Sequence, residues 1–238
     1  MLVGKVGKSC PMLSEADIQI LCGYVALEDM GGPKVPFCFG RKDFTREEAV
    51  QRNGPSGCPF GDGKFNPKGS RLPAADLGPD PNHSSSREPQ VREAPTIRAV
   101  RSTFQRMGLS DRETVLLIVL GHQFGRCHPE VSGYEHPWYV FDPMHWNVYE
   151  NGLGYLSAYT MGRYVEETNS VGKRQFNMSL GGGEPFMMLI SDMVLLWDDD
   201  FREHLLYYDR HRREFRKDAA AAWKKLTELG CSNLRREQ

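Results

Sequence analysis

The stretch "TVLLIVLGHQF", Thr114 to Phe124, limits what this chain can fold into more than any other. Val115 to Leu120 are six apolar residues in a row, so no side of the segment is polar. Ser110 and Glu113 stand ahead of it in capping-box spacing, which makes the run a helix. A helix that is apolar all round belongs inside a core, and this one is far too short to cross a bilayer. His122 falls near its end, between Gly121 and Gly125. The two glycines leave room on one side of the ring for something flat to approach.

Other helices are expected around this one. Ser14 caps a helix in "SEADIQILCGYVALEDMGG", with Ile18, Leu21, Cys22, Val25 and Ala26 on its apolar face and Gly31-Gly32-Pro33 as its stop. "GPKVPFCFGRKD" reads as an extended, proline-fixed connection. Phe44 to about Pro95 is rich in Gly, Pro and Ser and reads as a long surface excursion. From Thr96, Ile97, Val100 and Phe104 recur at helical spacing until Gly108. "GLGYLSAYTMGRYVEETNSVGKRQFNMSLGGGEPFMML" suits strands and turns, and the last forty or so residues suit helices ending at Gly230. The expected fold is mainly α, with a small β element and long loops.

The 30 basic and 31 acidic side chains give a net charge of −1, which argues against a nucleic-acid partner. None of the six cysteines forms a C-x-x-C pair, so a zinc knuckle or thioredoxin-type motif is not indicated, and a Cys38–Cys58 bridge stays open. The N-terminal residues lack a long apolar core or an Arg/Ser-rich amphipathic pattern, so no intact targeting peptide is read there.

A neutral imidazole at His122 could ligate a metal through one nitrogen if a partner fixed the other. Asp192, between "FMMLIS" and "MVLL", is a candidate: a carboxylate there is either a helix cap or the buried partner of a cation or imidazole. Taken singly, His122 reads as a satisfied core histidine, Asp192 as a cap and Trp138 as core.

Together, these residues resemble a known family. "GHQFGRCHPEVSGYEHPW" is similar to the proximal segment of class I haem peroxidases, the group that contains cytochrome c peroxidase and ascorbate peroxidase. "MLISDMVL" resembles the family segment whose aspartate holds the ligand histidine, and "SRLPAAD" a stretch beside the haem edge. "ADIQILCGYVALEDMGGPKVPFCFGRKD", "STFQRMGLSDRETVLL" and the C-terminal helices follow in the family's order. The resemblance implies a helical peroxidase-like fold in a single domain, 1–238. In it, 1–108 would be a remnant of the distal half with its long loop, and 109–238 the proximal part. It implies haem b, with His122 as axial iron ligand, Asp192 as its hydrogen-bond partner and Trp138 beneath the ring. Pro73, Ala74, Ala75, Arg126, His128, Ser132 and Ser191 would line the haem or its propionates.

Several positions depart from the family pattern. No Arg-x-x-Trp-His sequence occurs, and the one histidine before His122 is His83 in "PNHSSS". The resemblance therefore implies a fold lacking the distal helices at its N-terminal side. Peroxide cleavage needs a base and a cation on that side, so no catalytic residue is assigned. Leu120 stands where the family has glycine, Ala74 replaces an aspartate, and the ascorbate-binding arginine falls on Val131. The proximal cation site falls on Gln123, Tyr139 and Trp146, poor ligands for a hard cation, so no second metal is expected. Leu153 to Glu184 is long for the family and suits a docking surface.

The function these features imply is a degenerate peroxidase. It would serve as a structural or haem-carrying subunit, covered by other protein subunits and peripheral to a membrane complex of a mitochondrion or plastid. The alternatives are an active peroxidase whose distal residues come from elsewhere, or a haem sensor or electron-transfer module.

Overall fold

The structure, a computed structural model, describes residues 12–53, 75–124, 127, 129–136, 164–178 and 186–236. In chain order, α1 is Glu15–Asp29, β1 Cys38–Phe39, α2 Arg46–Asn53, α3 Pro89–Arg92, α4 Ala94–Arg106, α5 Asp111–Phe124 and α6 Pro129–Ser132. There follow β2 Val165–Thr168, β3 Arg174–Met178, β4 Phe186–Met188, α7 Ile190–Trp197, α8 Asp199–Arg210, α9 Arg212–Glu228 and β5 Arg235–Arg236. The fold is mainly α with a small β element, as the sequence implies. The chain forms two compact units, Pro73–Ala219 and Met1–Leu72 with Ala220–Gln238.

In the larger unit, α5 is the buried centre. The Ser110 amide donates to Glu113 Oε2 at 2.8 Å, and the Glu113 amide donates back to Ser110 Oγ at 3.2 Å. This is the reciprocal cap its sequence predicts. Val115 and Val119 are fully shielded, and the residues between them are buried too. Each such aliphatic side chain contributes about 1.5–3 kcal/mol. Gly108, at φ +76°, ends α4 with a left-handed turn that a side chain would strain.

Charged staples hold α5 to its neighbours. Arg101 of α4 donates from Nε to Asp111 at 2.9 Å and from Nη2 to Asp198 at 2.5 Å, and it lies 4.4 Å over the Phe201 ring. Asp198 also caps α8 by accepting from the Phe201 amide. At the start of α5, Arg112 donates to the Tyr208 hydroxyl at 2.5 Å, and that hydroxyl donates to Asp218 at 2.8 Å.

Strands β2, β3 and β4 form an antiparallel sheet in that order, with Phe176 opposite Glu166 on one side and Met188 on the other. β2 is exposed along its length. In β4, Met187 and Met188 are fully buried, and this strand runs directly into α7, whose residues 190–195 are all buried.

The smaller unit corrects one expectation. Ser14 caps α1, with the Asp17 amide donating to Ser14 Oγ at 3.0 Å. The buried face, however, is Asp17, Ile18, Tyr24 and Leu27, while Val25 is 56% exposed. Polar anchors decide the rotation. Asp17 accepts from the Gly40 amide at 2.8 Å and from Arg41 Nη1 at 2.9 Å, and Tyr24 Oη lies 2.5 Å from Thr227 Oγ1. Burial alone would raise the Asp17 carboxyl, but the Gly40 amide and Arg41 outweigh it and hold it below the usual carboxylate range. Cys38 is a buried free thiol whose strand pairs with β5. The stretch expected to be a surface excursion also contains α2, α3 and the start of α4.

Candidate functional site

His122 sits in the last turn of α5, with its side chain one quarter exposed. Its Nδ1 is hydrogen-bonded to Oδ1 of Asp192, whose side chain is fully buried. An ionised carboxylate can only accept, so Nδ1 carries the proton in this pair. Nε2 is then the atom through which the ring can hold a metal.

Asp192 is both things its sequence context allows. It occupies the third position of α7, and its Oδ2 accepts from the Leu189 amide at 2.8 Å. Leu189 stands at the N-cap position, where its own side chain cannot cap. The carboxylate thus satisfies the start of α7 with one oxygen and orients the imidazole with the other. A negative charge in the first turn also suits the helix dipole.

Gly121 is exposed, and a Cβ built on it would meet nothing within 4 Å. Leu120 is 2% exposed, so its bulk is taken up by core packing.

The other expected site residues divide into two groups. The Ser191 amide donates to the Ala75 carbonyl at 2.9 Å, which ties the Ala75 segment to the turn that carries Asp192. Ser132 Oγ accepts from the Tyr134 amide at 3.2 Å and also bonds the Cys127 thiol. Burial pushes that thiol's pKa up against the Ser132 bond, and the Asp192 charge adds to the rise. Pro73, Ala74, Arg126, His128 and Trp138 lie outside the described residues, as do Tyr139 and Trp146, whereas Gln123 is buried in α5.

A charged cluster beside this turn escaped sequence reasoning. Arg174 of β3 makes a fork with Asp76, Nε to Oδ2 at 2.9 Å and Nη2 to Oδ1 at 2.6 Å. The same guanidinium reaches Glu93 at 3.0 and 3.1 Å and Glu166 at 3.2 Å. Glu93 has no exposed side-chain surface. Asp76 lies 98 positions from Arg174 and Glu93 lies 81, so no local pattern announces the pairing. Next to it, Gln175 Nε2 donates to the Glu135 carbonyl at 2.9 Å and its Oε1 accepts from the Glu135 amide at 3.0 Å. β3 thereby fixes the segment that precedes Trp138 in the sequence.

A haem iron calls for a ligand imidazole whose direction is fixed by an outer-shell partner. The His122 imidazole, held by the buried Asp192 carboxylate, fits that demand. Among the described residues, no group of three or more His, Cys, Asp or Glu side chains is placed to hold a metal ion.

Comparison with known proteins gives the class. The family model described as Peroxidase matches residues 2–211. The chain therefore belongs to the peroxidase family, and its relatives place it with the class I haem peroxidases. It is 33% identical over 219 residues to a Cryptococcus neoformans protein named "Putative heme-binding peroxidase", covering 92% of this chain and 54% of that one. It is 31% identical to the mitochondrial cytochrome c peroxidase of Aspergillus fumigatus and 30% identical to L-ascorbate peroxidase 3 of Arabidopsis thaliana. Each of these matches covers 92% of this chain, with 48% and 55% of the two relatives. The chain thus spans about half the length of these relatives.

Proposed function

We propose that this chain holds haem on its proximal face and acts as a structural or haem-carrying subunit of a larger organellar assembly. The observation that carries the proposal is the His122–Asp192 pair: the imidazole proton is fixed on Nδ1 by a buried carboxylate that is itself locked to the start of α7. Haem held there by His122 would supply a redox-active iron. The chain's own contribution is to orient His122 by holding its Nδ1 on the buried Asp192 carboxylate, which leaves Nε2 as the atom that would ligate. The 238 residues contain no Arg-x-x-Trp-His sequence. The base and cation needed for peroxide cleavage are therefore assigned to groups outside them.

Other protein subunits are proposed to cover the distal side. The mitochondrial relative favours a mitochondrial setting. No helix among the described residues is long and apolar enough to cross a membrane.

The test is one spectrum and one rate. The purified chain, titrated with haemin, should develop a Soret band that His122→Ala abolishes, without steady-state turnover of hydrogen peroxide. The absence of a His122-dependent band would refute haem carriage. Turnover that vanishes in His122→Ala would replace the subunit reading with an active peroxidase. That second reading is favoured by one fact: the matched relatives are about twice as long and are named peroxidases.

A further inference from the structure

A closed ring of contacts surrounds the turn that carries Asp192. From Arg174, β3 runs to Phe176, which pairs with Met188 of β4. Met188 leads through Leu189 and Ile190 to Ser191, and Asp192 Oδ2 closes that turn on the Leu189 amide. The Ser191 amide donates to the Ala75 carbonyl at 2.9 Å. Ala75 is followed by Asp76, and the carboxylate of Asp76 returns to Arg174 through the two-bond fork. Sheet pairing, one backbone bond and one bidentate ion pair thus enclose residues 188–192. A second buried carboxylate, Glu93, holds the guanidinium from the start of α4.

We propose that Arg174 is a positioning residue for His122. By closing the ring, it fixes the Leu189–Asp192 turn, and that turn fixes the carboxylate that orients the imidazole. The physical reasons are geometric. A guanidinium–carboxylate fork restrains direction as well as distance, and the Asp76 carboxylate is further held by the Gly78 amide at 2.7 Å. Without Arg174, Glu93 would be a buried charge lacking this partner, and the Ala75–Asp76 segment would be tied to β3 no longer. The Asp192 oxygens would then sample positions in which the Nδ1 bond is longer and bent. The inference rests on the haem reading only for its second readout.

The first readout is the His122 Nδ1 proton, observed by nuclear magnetic resonance in the full chain without haem. In the wild type it should resonate far downfield and exchange slowly with water. Arg174→Gln should move it upfield and speed its exchange with water. Arg174→Lys, which keeps the charge but not the fork, should fall between. The Tyr208 hydroxyl proton, held by Asp218 outside the ring, should stay put. An unchanged His122 proton in folded Arg174→Gln would overturn the proposal, as would equal movement of the Tyr208 proton, which would mark general loosening. If Arg174→Gln does not fold, Asp76→Ala removes both acceptor oxygens and opens the ring while leaving Arg174 its bonds to Glu93 and Glu166. It should give the same shift, and no shift would overturn the proposal. The second readout is haemin titration, in which Arg174→Gln should lose roughly tenfold in affinity. A wild type that takes up no haem through His122 refutes the haem reading, while the proton resonance still decides on Arg174.

Discussion

Asp192→Asn separates the two roles of one carboxylate. In the wild type, Oδ2 accepts from the Leu189 amide at 2.8 Å and Oδ1 accepts from His122 Nδ1. An asparagine offers one oxygen and one NH2 group in the same places. If its oxygen faced His122, its NH2 would meet the Leu189 N–H donor to donor, leaving buried donors unsatisfied at about 1–3 kcal/mol. If its oxygen stays on Leu189, the helix cap survives and the NH2 points at His122. The second arrangement wins, provided the imidazole moves its proton from Nδ1 to Nε2. The cost is then the difference between a charge-assisted and a neutral hydrogen bond, about 1–2 kcal/mol. The protonated Nε2 is no longer a metal ligand.

Asp192→Ala is the contrasting change. It strands the Leu189 amide and the imidazole N–H at about 1–3 kcal/mol each when buried. Partial exposure of His122 lightens the second loss, so a total of about 3–4 kcal/mol is expected. For a chain of this size that lowers the melting temperature by roughly 6–16 °C. Thermal unfolding followed by circular dichroism, imidazole nitrogen shifts and haemin titration measure the three consequences. The Asn variant should melt close to the wild type, show the Nε2-protonated tautomer and lose His122-dependent haem uptake. An Asn variant that keeps the Nδ1-protonated ring and a wild-type Soret band would refute the reasoning.

Gly121→Ala should stabilise the chain by about 0.5–1 kcal/mol, since a helical alanine replaces glycine where a Cβ meets nothing within 4 Å. Denaturant unfolding would show it as a raised midpoint. Tyr208 is buried, and its hydroxyl is pushed up to about 12, burial outweighing the opposing Arg112 bond. The unfolded phenol ionises near 10, so its stabilising share is whole below that pH and is lost as pH rises towards 12. Tyr208→Phe should flatten the alkaline fall in stability measured by urea unfolding between about pH 9 and 11. Asp76 is pushed the other way: burial would raise its carboxyl, but the Arg174 and Gly78 bonds outweigh it and hold it below the usual range. Its share is whole above the unfolded value near 4 and is lost as pH falls through the lower folded value. Asp76→Asn should make the acid limb shallower in the same measurement.

What the sequence makes legible is local. Ser110, Glu113 and the run from Val115 to Leu120 lie within eleven positions, so cap and burial are both visible before any fold is known. The same kind of signal was present for α2. Thr45 and Glu48 form a reciprocal cap, with amides donating at 2.8 and 3.2 Å, but "REEAVQRN" has no apolar stripe to draw attention to it. The face of α1 misleads because apolar periodicity marks Val25, whereas Asp17 and Tyr24 find partners at Gly40, Arg41 and Thr227 and carry the helix round with them. The site is legible where resemblance supplies the long-range step, as for His122 and Asp192, 70 positions apart. For Arg174, Asp76 and Glu93 no such step existed, and an ion pair across 98 positions leaves no trace in either neighbourhood.

Asp192 shows why single-residue readings stall at such a site. Helix cap and imidazole partner look like alternatives because each assigns the side chain one job. A carboxylate has two oxygens, and in this chain they serve donors from different elements, the Leu189 amide that opens α7 and the ring at the end of α5. The direction of the His122 ring is therefore set by where α7 begins. Whatever moves that beginning moves the imidazole with it, whether through the β4 strand that feeds it or through the Ala75 carbonyl that holds Ser191. The direction of that imidazole belongs to the joint between two helices rather than to a histidine alone.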